Sequence, residues 1–150
     1  ENNSLEWVIN MIITDNEASS VQSALSQTGV DVKITRLTHW EITGANNSSL
    51  NKIEKTGELF NSNKEYIYDY KTEKDESSIT FLIRQKEDIL GRQKMQSLTD
   101  RFNIQGLKEI RHGVLWNIKS KSSNFDLVIQ KVLDSKILFN PFSQECYKYE

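Results

Sequence analysis

The sequence predicts an α+β fold in which helices cover one face of a mainly antiparallel sheet. Three observations favour this class. Short apolar or alternating segments, typical of strands, are separated by segments whose apolar residues lie three and four positions apart, as in helices. The order strand, helix, strand, helix, strand occurs once in each half of the chain. Groups of residues also recur at a nearly constant distance along the 150 residues.

The recurrence is clearest near the end of each half. Residues 59–61 (Leu-Phe-Asn) match residues 138–140, and the Tyr-x-Tyr at 68–70 matches the one at 147–149, both 79 residues later. We interpret the first motif as a helix end followed by a stop, and the second as a strand. Two further matches, at distances of 76 and 74 residues, pair Ile34, Trp40 and Ile42 with Ile110, Trp116 and Ile118, and Val21, Ala24, Leu25 and Thr28 with Met95, Leu98, Thr99 and Phe102.

Chance matches would not keep one order along the chain, so the pattern predicts two copies of one unit whose loops differ in length. The copies are predicted to span 1–75, the more divergent copy, and 76–150, with the polar segment 71–77 as the joint. A copy of this size is marginal on its own. We therefore expect the copies to share one sheet, related by an approximate two-fold axis, in a ferredoxin-like plan.

In the first copy, residues 7–13 are mostly apolar and predict a buried strand. Asp15 or Asn16 is the expected cap of the helix that follows, because a short side-chain oxygen accepts a hydrogen bond from a free N–H of the first turn. Gly29 is expected to end that helix in the left-handed conformation.

The rest of the first copy is less regular. Residues 32–43 are typical of a strand, but Leu37 breaks the even-numbered apolar pattern, which predicts a turn or bulge at Arg36-Leu37. A helix is expected over 50–60, with Gly57 costing it about 1 kcal/mol relative to alanine. The strand 66–70 closes the copy.

The second copy has the more regular pattern. Residues 79–83 alternate as a strand, and Asp88 precedes a helix that carries the apolar residues of the 74-residue match. Within residues 110–118 most of the apolar residues occupy even-numbered positions, as in a strand. Gly113 interrupts this pattern, and a glycine inside a strand predicts a hairpin or bulge. Residues 125–137 form a strongly amphipathic helix, and the closing strand follows it.

Composition excludes several function classes. The net charge is −2 and no Lys/Arg-rich stretch occurs, so nucleic-acid binding is not expected. The longest apolar run, residues 11–13, is too short to span a membrane, and a cytoplasmic location is the default expectation. His39 and His112 lie at no metal-ligand spacing with each other or with Cys146, so no metal or cofactor is expected. Cys146 is expected to be an inert strand residue.

No local motif predicts a catalytic set. Trp40 and Trp116 are interpreted as packing residues rather than as a base-stacking platform. The sequence Arg111-His112-Gly113 is the one polar cluster within an apolar strand region. It is either the solvated tip of a hairpin or a contact to a partner or an anion, and the sequence leaves both interpretations open.

The second copy resembles PurS, the small subunit of phosphoribosylformylglycinamidine synthase. That family combines an Asp-x-x-Gly turn before the first helix, a Val-Arg-x-Gly turn in a strand, and a Leu-x-Asn-Pro stop before a short acidic strand that contains Tyr. The matching segments here are Asp88–Gly91, Ile110–Gly113 and Leu138–Pro141, followed by Glu145 and Tyr147.

The resemblance covers about residues 78–150, and it reaches 7–70 only through the internal recurrence. Ile89 stands where the family favours Pro, and Val114 stands where a Lys is usual. The first copy lacks both the Asp-x-x-Gly and the Asn-Pro sequences. Because these two sequences are missing, the first copy is the degenerate one.

The resemblance implies a non-catalytic scaffold, without cofactors, in the fourth step of purine biosynthesis. A PurL-type synthetase would carry the ATP-dependent chemistry and a PurQ-type glutaminase would release ammonia, while this chain binds both. The chain would be a pseudo-dimer in one polypeptide, and a further homodimer is left open. The candidate partner-binding residues are Asp88, Gly91, Arg111, His112 and Gly113, with Arg36 in the corresponding turn of the first copy.

Three other functions are weighed. The first is a small-molecule-sensing regulatory module of ferredoxin-like plan, in which the interface between the copies holds a metabolite. The second is an enzyme of the same plan, such as an acylphosphatase, but the glycine-rich anion loop of that family is missing after the first strand. The third is an RNA-binding sheet, which the net charge of −2 disfavours.

Overall fold

A computed structural model of the chain describes residues 4–12, 15–68, 78–120 and 124–149. It is an α+β fold with one six-stranded antiparallel sheet and four helices, which confirms the predicted class at this level. The elements are β1 (Ser4–Met11), α1 (Asn16–Gln27), β2 (Lys33–Thr43), α2 (Asn47–Thr56), β3 (Glu65–Ile67), β4 (Ser78–Gln85), α3 (Ile89–Asp100), β5 (Glu109–Lys119), α4 (Phe125–Asp134) and β6 (Gln144–Lys148).

The strand order is β3-β1-β2-β5-β4-β6, with β2 and β5 paired at the centre. From the centre to either edge, each half of the chain contributes its second, first and third strands in that order. The central pair is the longest ladder, because β2 and β5 pair along their whole length, from Lys33 opposite Lys119 to Thr43 opposite Glu109. The two halves therefore join through backbone hydrogen bonds along one central seam.

One face of the sheet carries all four helices. On this face, even-numbered side chains of β2 and β5 pack against two pairs of helices, and each pair takes one helix from each half of the chain. Leu25 of α1 and Val132 of α4 share one buried cluster, and Ile53 of α2 and Leu98 of α3 share the other. Trp40 and Trp116 are buried here, which confirms that they are packing residues.

The opposite face carries no described helix, yet it has its own apolar cluster. Four residues from the four inner strands form it, and side chains near the two edges, Tyr68 and Tyr149, pack against it. These four are Val8, Leu37, Leu82 and Leu115. The central strands are therefore buried on both faces of the sheet.

The sheet is strongly curved around this second face. The backbone N–H of Tyr149 donates to Thr80 O of β4, so Tyr149 still lies at the β6 edge. Its ring centroid is nevertheless 5.4 Å from that of His39 on β2. In a flat sheet β6 and β2 would be about 14 Å apart, since strands are spaced by about 4.8 Å. We therefore call the helix-free face the concave face.

Two predicted breaks in the strands are wrong. β2 and β5 run without a turn, bulge or hairpin at Arg36-Leu37 or at Gly113. The break in parity at Leu37 has another cause, because Leu37 packs with Leu115 and Leu82 on the concave face. In β2 and β5 the even-numbered residues fill the helix-covered face and some odd-numbered ones fill the other, so both parities include apolar residues.

The predicted helix caps are confirmed at Asp15 and Gly29. The Asp15 carboxylate accepts from Glu17 N and Ala18 N, and Gly29 has φ +88°. Gly57 was expected inside a helix, but it lies at the end of α2 with φ +72°, where glycine relieves strain instead of weakening the helix. The Leu-Phe pairs of the recurrent motif accordingly follow α2 and α4, and do not lie within them.

The same hydrogen bonds form after α2 and after α4. Asn61 N donates to Glu65 Oε1 at 3.0 Å, and Asn140 N donates to Gln144 Oε1 at 2.7 Å. Both asparagine side chains accept from the backbone N–H two residues later, that of Asn63 or Phe142. Each bond is displaced by the 79 residues of the sequence match. The caps of the first helix in each half, Asp15 and Asp88, lie 73 residues apart, whereas the sequence match predicted a distance of 74.

Several predictions lie outside the described residues. They concern the end of the first strand at residue 13, the end of the closing strand at 69–70 and the joint at 71–77.

Candidate partner-binding site

Asp88 fastens α3 to β5. As the N-cap of α3 it accepts a hydrogen bond from Gly91 N through Oδ1, at 2.9 Å. Its other oxygen, Oδ2, accepts from His112 N of β5, also at 2.9 Å. A carboxylate that accepts two backbone N–H groups satisfies donors that would otherwise be unpaired. The Asp-x-x-Gly sequence therefore has a role in folding, since its aspartate joins α3 to β5.

Gly91 permits the close approach that Asp88 requires. A Cβ at this position would lie 2.4 Å from Ile110 O and 2.4 Å from Asp88 Oδ2. The backbone of β5 occupies one of those places, so a larger residue could be accommodated only if α3 moved away from the sheet. Asp88, Gly91 and His112 thus meet at one corner, on the helix-covered face.

His112 is held within this corner. Its ring lies 4.8 Å from that of Trp40, measured between centroids, at an angle of 59°. Burial lowers the pKa of His112 below its ordinary value, against the opposing effect of the Asp88 carboxylate. The side chain is therefore a packed, uncharged ring at neutral pH, and what it offers a partner is limited to its partly exposed edge.

The first half has a different corner at the matching place. Asp15 caps α1, and its carboxylate is paired with Arg36, whose Nε lies 2.8 Å from Oδ2. Arg36 also donates to Glu17 at 2.6 Å. Burial alone would lower the pKa of Arg36, but the bonds and charges of Asp15 and Glu17 outweigh it and raise the pKa. Arg36 therefore ties α1 to β2, as Asp88 ties α3 to β5.

Arg111 and Gly113 lie on the concave face, away from the other candidates. Arg111 is opposite Glu41 in the central ladder and close enough to Tyr147 to affect its phenol electrostatically. Gly113 is opposite His39, and a Cβ there would lie 2.5 Å from Leu82 Cδ1. The glycine thus makes room for side chains of β4, and it does not form a turn.

The structure consequently separates the six predicted residues into three places. Asp88, Gly91 and His112 meet at one corner, while Arg111 and Gly113 lie on the opposite face of the same strand. Arg36 is not the counterpart of Arg111, because its side chain faces the helices and belongs to the corner of the first half.

A polar network on the concave face was not predicted. His39 Nε2 and Glu6 Oε1 lie 2.8 Å apart, and Tyr149 Oη donates to the same oxygen at 2.7 Å. Arg84 Nη2 of β4 donates to Glu41 Oε1 of β2 at 3.0 Å, passing over β5. His39 is 1% exposed. The apolar Leu37 among the odd-numbered residues of β2 could have indicated this network. It shows that the odd-numbered face is buried, and His39 and Glu41 lie on that face.

The network has no charged counterpart at the matching positions. The ladders β1–β2 and β4–β5 begin alike, with Ser4 opposite Thr43 and Ser78 opposite Lys119. When the two ladders are aligned on those pairs, Glu6 and His39 of the first half correspond to Thr80 and Leu115 of the second. Glu41 corresponds to Asn117, and Arg84 of the second half corresponds to Asn10 of the first. The Glu6–His39 pair of the concave face therefore has no ionisable counterpart at the matching positions across the seam.

Exposed apolar side chains gather at one end of β4. Lys86 N donates to Ser143 O, which brings the start of α3 close to the turn before β6. Three large apolar residues of these segments are exposed, among them Phe142 at 87%. The other two are Ile89 and Leu90. Exposed apolar groups of this kind are typical of interaction sites, and the matching residues of the first half are Asn63, Asn16 and Glu17.

An open cleft of about 630 Å³ lies at the end of α2. Its lining is polar and comes from the first half alone, so the cleft does not correspond to the metabolite site that the alternative of a sensing module would place between the copies. The lining residues are Asn51, Glu54, Lys55, Gly57, Asn61 and Ser62.

Within the described ranges no three His, Cys, Asp or Glu side chains are placed to hold a metal ion. Cys146 packs against the core from β6, and burial raises the pKa of its thiol, which disfavours the reactive thiolate. Among the helices of the same residues, none combines the length and the apolar character needed to cross a membrane.

No protein-family model and no curated protein sequence matches the chain. The motif resemblance and the geometry of the chain are therefore what bears on its function.

Proposed function

We propose that this chain is a non-catalytic scaffold of phosphoribosylformylglycinamidine synthase, as a subunit or as an N-terminal domain. In this role it holds a PurL-type synthetase and a PurQ-type glutaminase together in the cytoplasm. Two PurS-like units, 1–75 and 76–150, form a pseudo-dimer with a continuous sheet. The chain itself contributes binding surfaces, and its partners contribute the chemistry.

The observation that carries this proposal is the repeated connection from helix to edge strand. The same asparagine-centred hydrogen bonds occur after α2 and after α4, and the strand order from the central seam outward is the same on both sides. Such agreement is expected of two copies of one unit. It favours a tandem arrangement, which the PurS resemblance of the second half then identifies with a family that forms dimers through a shared sheet.

The roles of the motif residues add support. The Asp-x-x-Gly residues join α3 to β5, so this family motif has a folding role in the second unit. The exposed apolar end formed by Ile89, Leu90 and Phe142 gives the second half a surface that the first half does not have. Two different surfaces are what a scaffold with two different partners requires.

Reconstitution tests the proposed function directly. The chain is expected to co-purify with the synthetase and the glutaminase of its own source organism. Glutamine-dependent amidine formation by the mixture should require the chain, whereas the purified chain alone should form no amidine. Full activity of the two partners without the chain would contradict the proposal, as would amidine formation by the chain alone.

Arg111→Ala is expected to weaken assembly while leaving the fold intact. Arg111 is partly exposed on the concave face, and substitutions at such positions usually change stability by less than about 0.5 kcal/mol. An arginine at an interface can contribute more than about 2 kcal/mol to binding. Affinity measured by calorimetry and the thermal midpoint distinguish the two effects.

Two further variants serve as controls for Arg111→Ala. Arg101→Ala removes an exposed arginine whose closest ring contact is Phe102, and it should change neither assembly nor stability. Arg36→Ala should lower stability, because it leaves the Asp15 carboxylate without its guanidinium partner. Unfolding of Arg111→Ala, or assembly that is indifferent to it, would refute the partner-binding role.

A further inference from the structure

Glu6 is the shared acceptor of two groups from distant parts of the chain. Its Oε1 lies 2.8 Å from His39 Nε2 and 2.7 Å from Tyr149 Oη. A carboxylate at neutral pH only accepts hydrogen bonds, so the His39 tautomer is assigned as the one with its proton on Nε2. The other nitrogen, Nδ1, then carries a lone pair.

Tyr149 crosses the concave face to reach Glu6. Its backbone is hydrogen-bonded to Thr80 of β4 in the second half, whereas its phenol and ring contact β1 and β2 of the first half. The side chain covers the His39 ring and packs on the cluster that includes Leu82 and Leu115. It therefore connects the last strand to the first across the seam.

The surroundings of His39 disfavour a second proton on its ring. Nδ1 is buried and has no hydrogen-bond partner among the described residues, so a proton there would be an unsatisfied donor. The charged groups that act on the ring are Glu6 of β1, Glu41 of β2 and Arg84 of β4, while β5 places Gly113 opposite it. Arg84 would repel an imidazolium, and its own Nε is also buried without a described partner.

We propose that Tyr149, Glu6 and His39 form a proton-sensitive strap, which holds the end of β6 across the concave face at neutral pH and releases it when His39 takes up a proton. Release lets water reach Nδ1 and uncovers the apolar cluster beneath the Tyr149 ring. The strap is independent of the proposed scaffold function, because it depends only on contacts within the chain.

The direction of the pH effect follows from the two states of His39. Burial lowers its pKa below 6.5 in the closed state, against the opposing effect of Glu6. The open state therefore binds the proton more readily, and the closed state is fully favoured above pH 6.5 and loses its advantage as the pH falls below that value. Burial alone would raise the pKa of Glu6, but the bonds from His39 and Tyr149 lower it below 4.5, so Glu6 stays ionised in this window.

The matching side of the concave face indicates that the fold does not require the strap. The positions of Glu6 and His39 are held there by Thr80 and Leu115, and Asn117 Nδ2 donates to Thr80 Oγ1 at 2.8 Å. That side is closed by a neutral bond and an apolar residue. Proton sensitivity is thus confined to the side on which Tyr149 lands.

The first experiment measures the His39 imidazole by NMR titration in the wild-type chain and in Tyr149→Ala. Removing the Tyr149 ring should raise the pKa of His39 toward 6.5, because water then reaches the ring. Tyr147→Ala is the matched control: its phenol is bonded to Glu145, two residues away on the same strand, and the variant should leave the His39 titration unchanged. Tyr147→Ala should leave the His112 titration unchanged as well.

The second experiment follows the Tyr149 amide by hydrogen exchange, expressed as a protection factor so that the intrinsic pH dependence cancels. Between about pH 7.5 and pH 5.5 its protection is expected to fall by up to about ten-fold, because each pH unit below the ordinary histidine value of 6.5 favours the proton-binding open state by at most that factor. In His39→Gln, whose side-chain amide can still donate to Glu6, the protection should no longer change with pH.

Two results would overturn the strap. One is a His39 titration that does not respond to Tyr149→Ala, which would mean that the ring does not cover His39 in solution. The other is Tyr149 protection in the wild-type chain that is equal at both pH values, or that still falls in His39→Gln. Both measurements use the full chain, and Tyr149→Ala changes a residue that follows β6, so the ladder between β6 and β4 stays in place and loss of the whole fold is not expected.

Discussion

Gly91→Ala is expected to lower the free energy of unfolding by about 2–3 kcal/mol, even though alanine is the better helix former. The added methyl group would lie 2.4 Å from the carbonyl oxygen of Ile110 in β5, which cannot move without disturbing the central seam. It would also meet Asp88, whose carboxylate holds His112 N. Urea unfolding followed by circular dichroism measures the change.

The first half supplies a matched control for Gly91→Ala. Ala18 lies three residues after the Asp15 cap, as Gly91 lies three residues after Asp88, and it is buried. Ala18→Gly should cost about 1 kcal/mol, through helix propensity and a lost methyl group. If Gly91→Ala instead stabilised the chain, the close contact of α3 with β5 would be wrong.

Leu115→Ala is expected to destabilise the chain by about 2–5 kcal/mol, the range for a fully buried leucine. Leu115 is 0% exposed although it faces the side of the sheet without helices. It lies opposite Leu37 in the central ladder and opposite Leu82 in the next one. The substitution would leave a cavity where the two halves meet, so chemical denaturation should show a large loss of stability.

The control for Leu115→Ala is the same substitution at an exposed leucine. Leu127 of α4 is 54% exposed, and Leu127→Ala should change stability by less than about 0.5 kcal/mol. If both variants lost equally little, the concave face would be open to solvent and its apolar cluster would not be part of the core.

Local patterns predicted the elements well where one side of an element is polar. The cap at Asp15 follows from a short side chain that accepts from free N–H groups, and Asp88, which was predicted to precede the next helix, is the N-cap of α3. The error at Leu37 arose because strand parity identifies a buried face only when the other face is solvated. In this sheet helices cover one face, and curvature with edge tyrosines covers the other.

The candidate site was harder to predict, because its members meet only through curvature and pairing. Arg36 and Arg111 looked equivalent from their neighbours in sequence, but the central register places them on opposite faces. The network of Glu6, His39 and Tyr149 spans most of the chain, and no local spacing connects residues so far apart. Only the registers of the successive ladders bring them together.

The two halves place different residues on the concave face, and this difference affects which substitutions the chain can accept. In an assembly of two identical polypeptides, every substitution is made twice, so a histidine at position 39 would also appear at the place of Leu115. A second imidazole there would put a polar ring into the apolar centre of the seam. A single polypeptide escapes that constraint, because each half can mutate alone. One half can thus keep a buried imidazole at a position where the other half keeps a leucine.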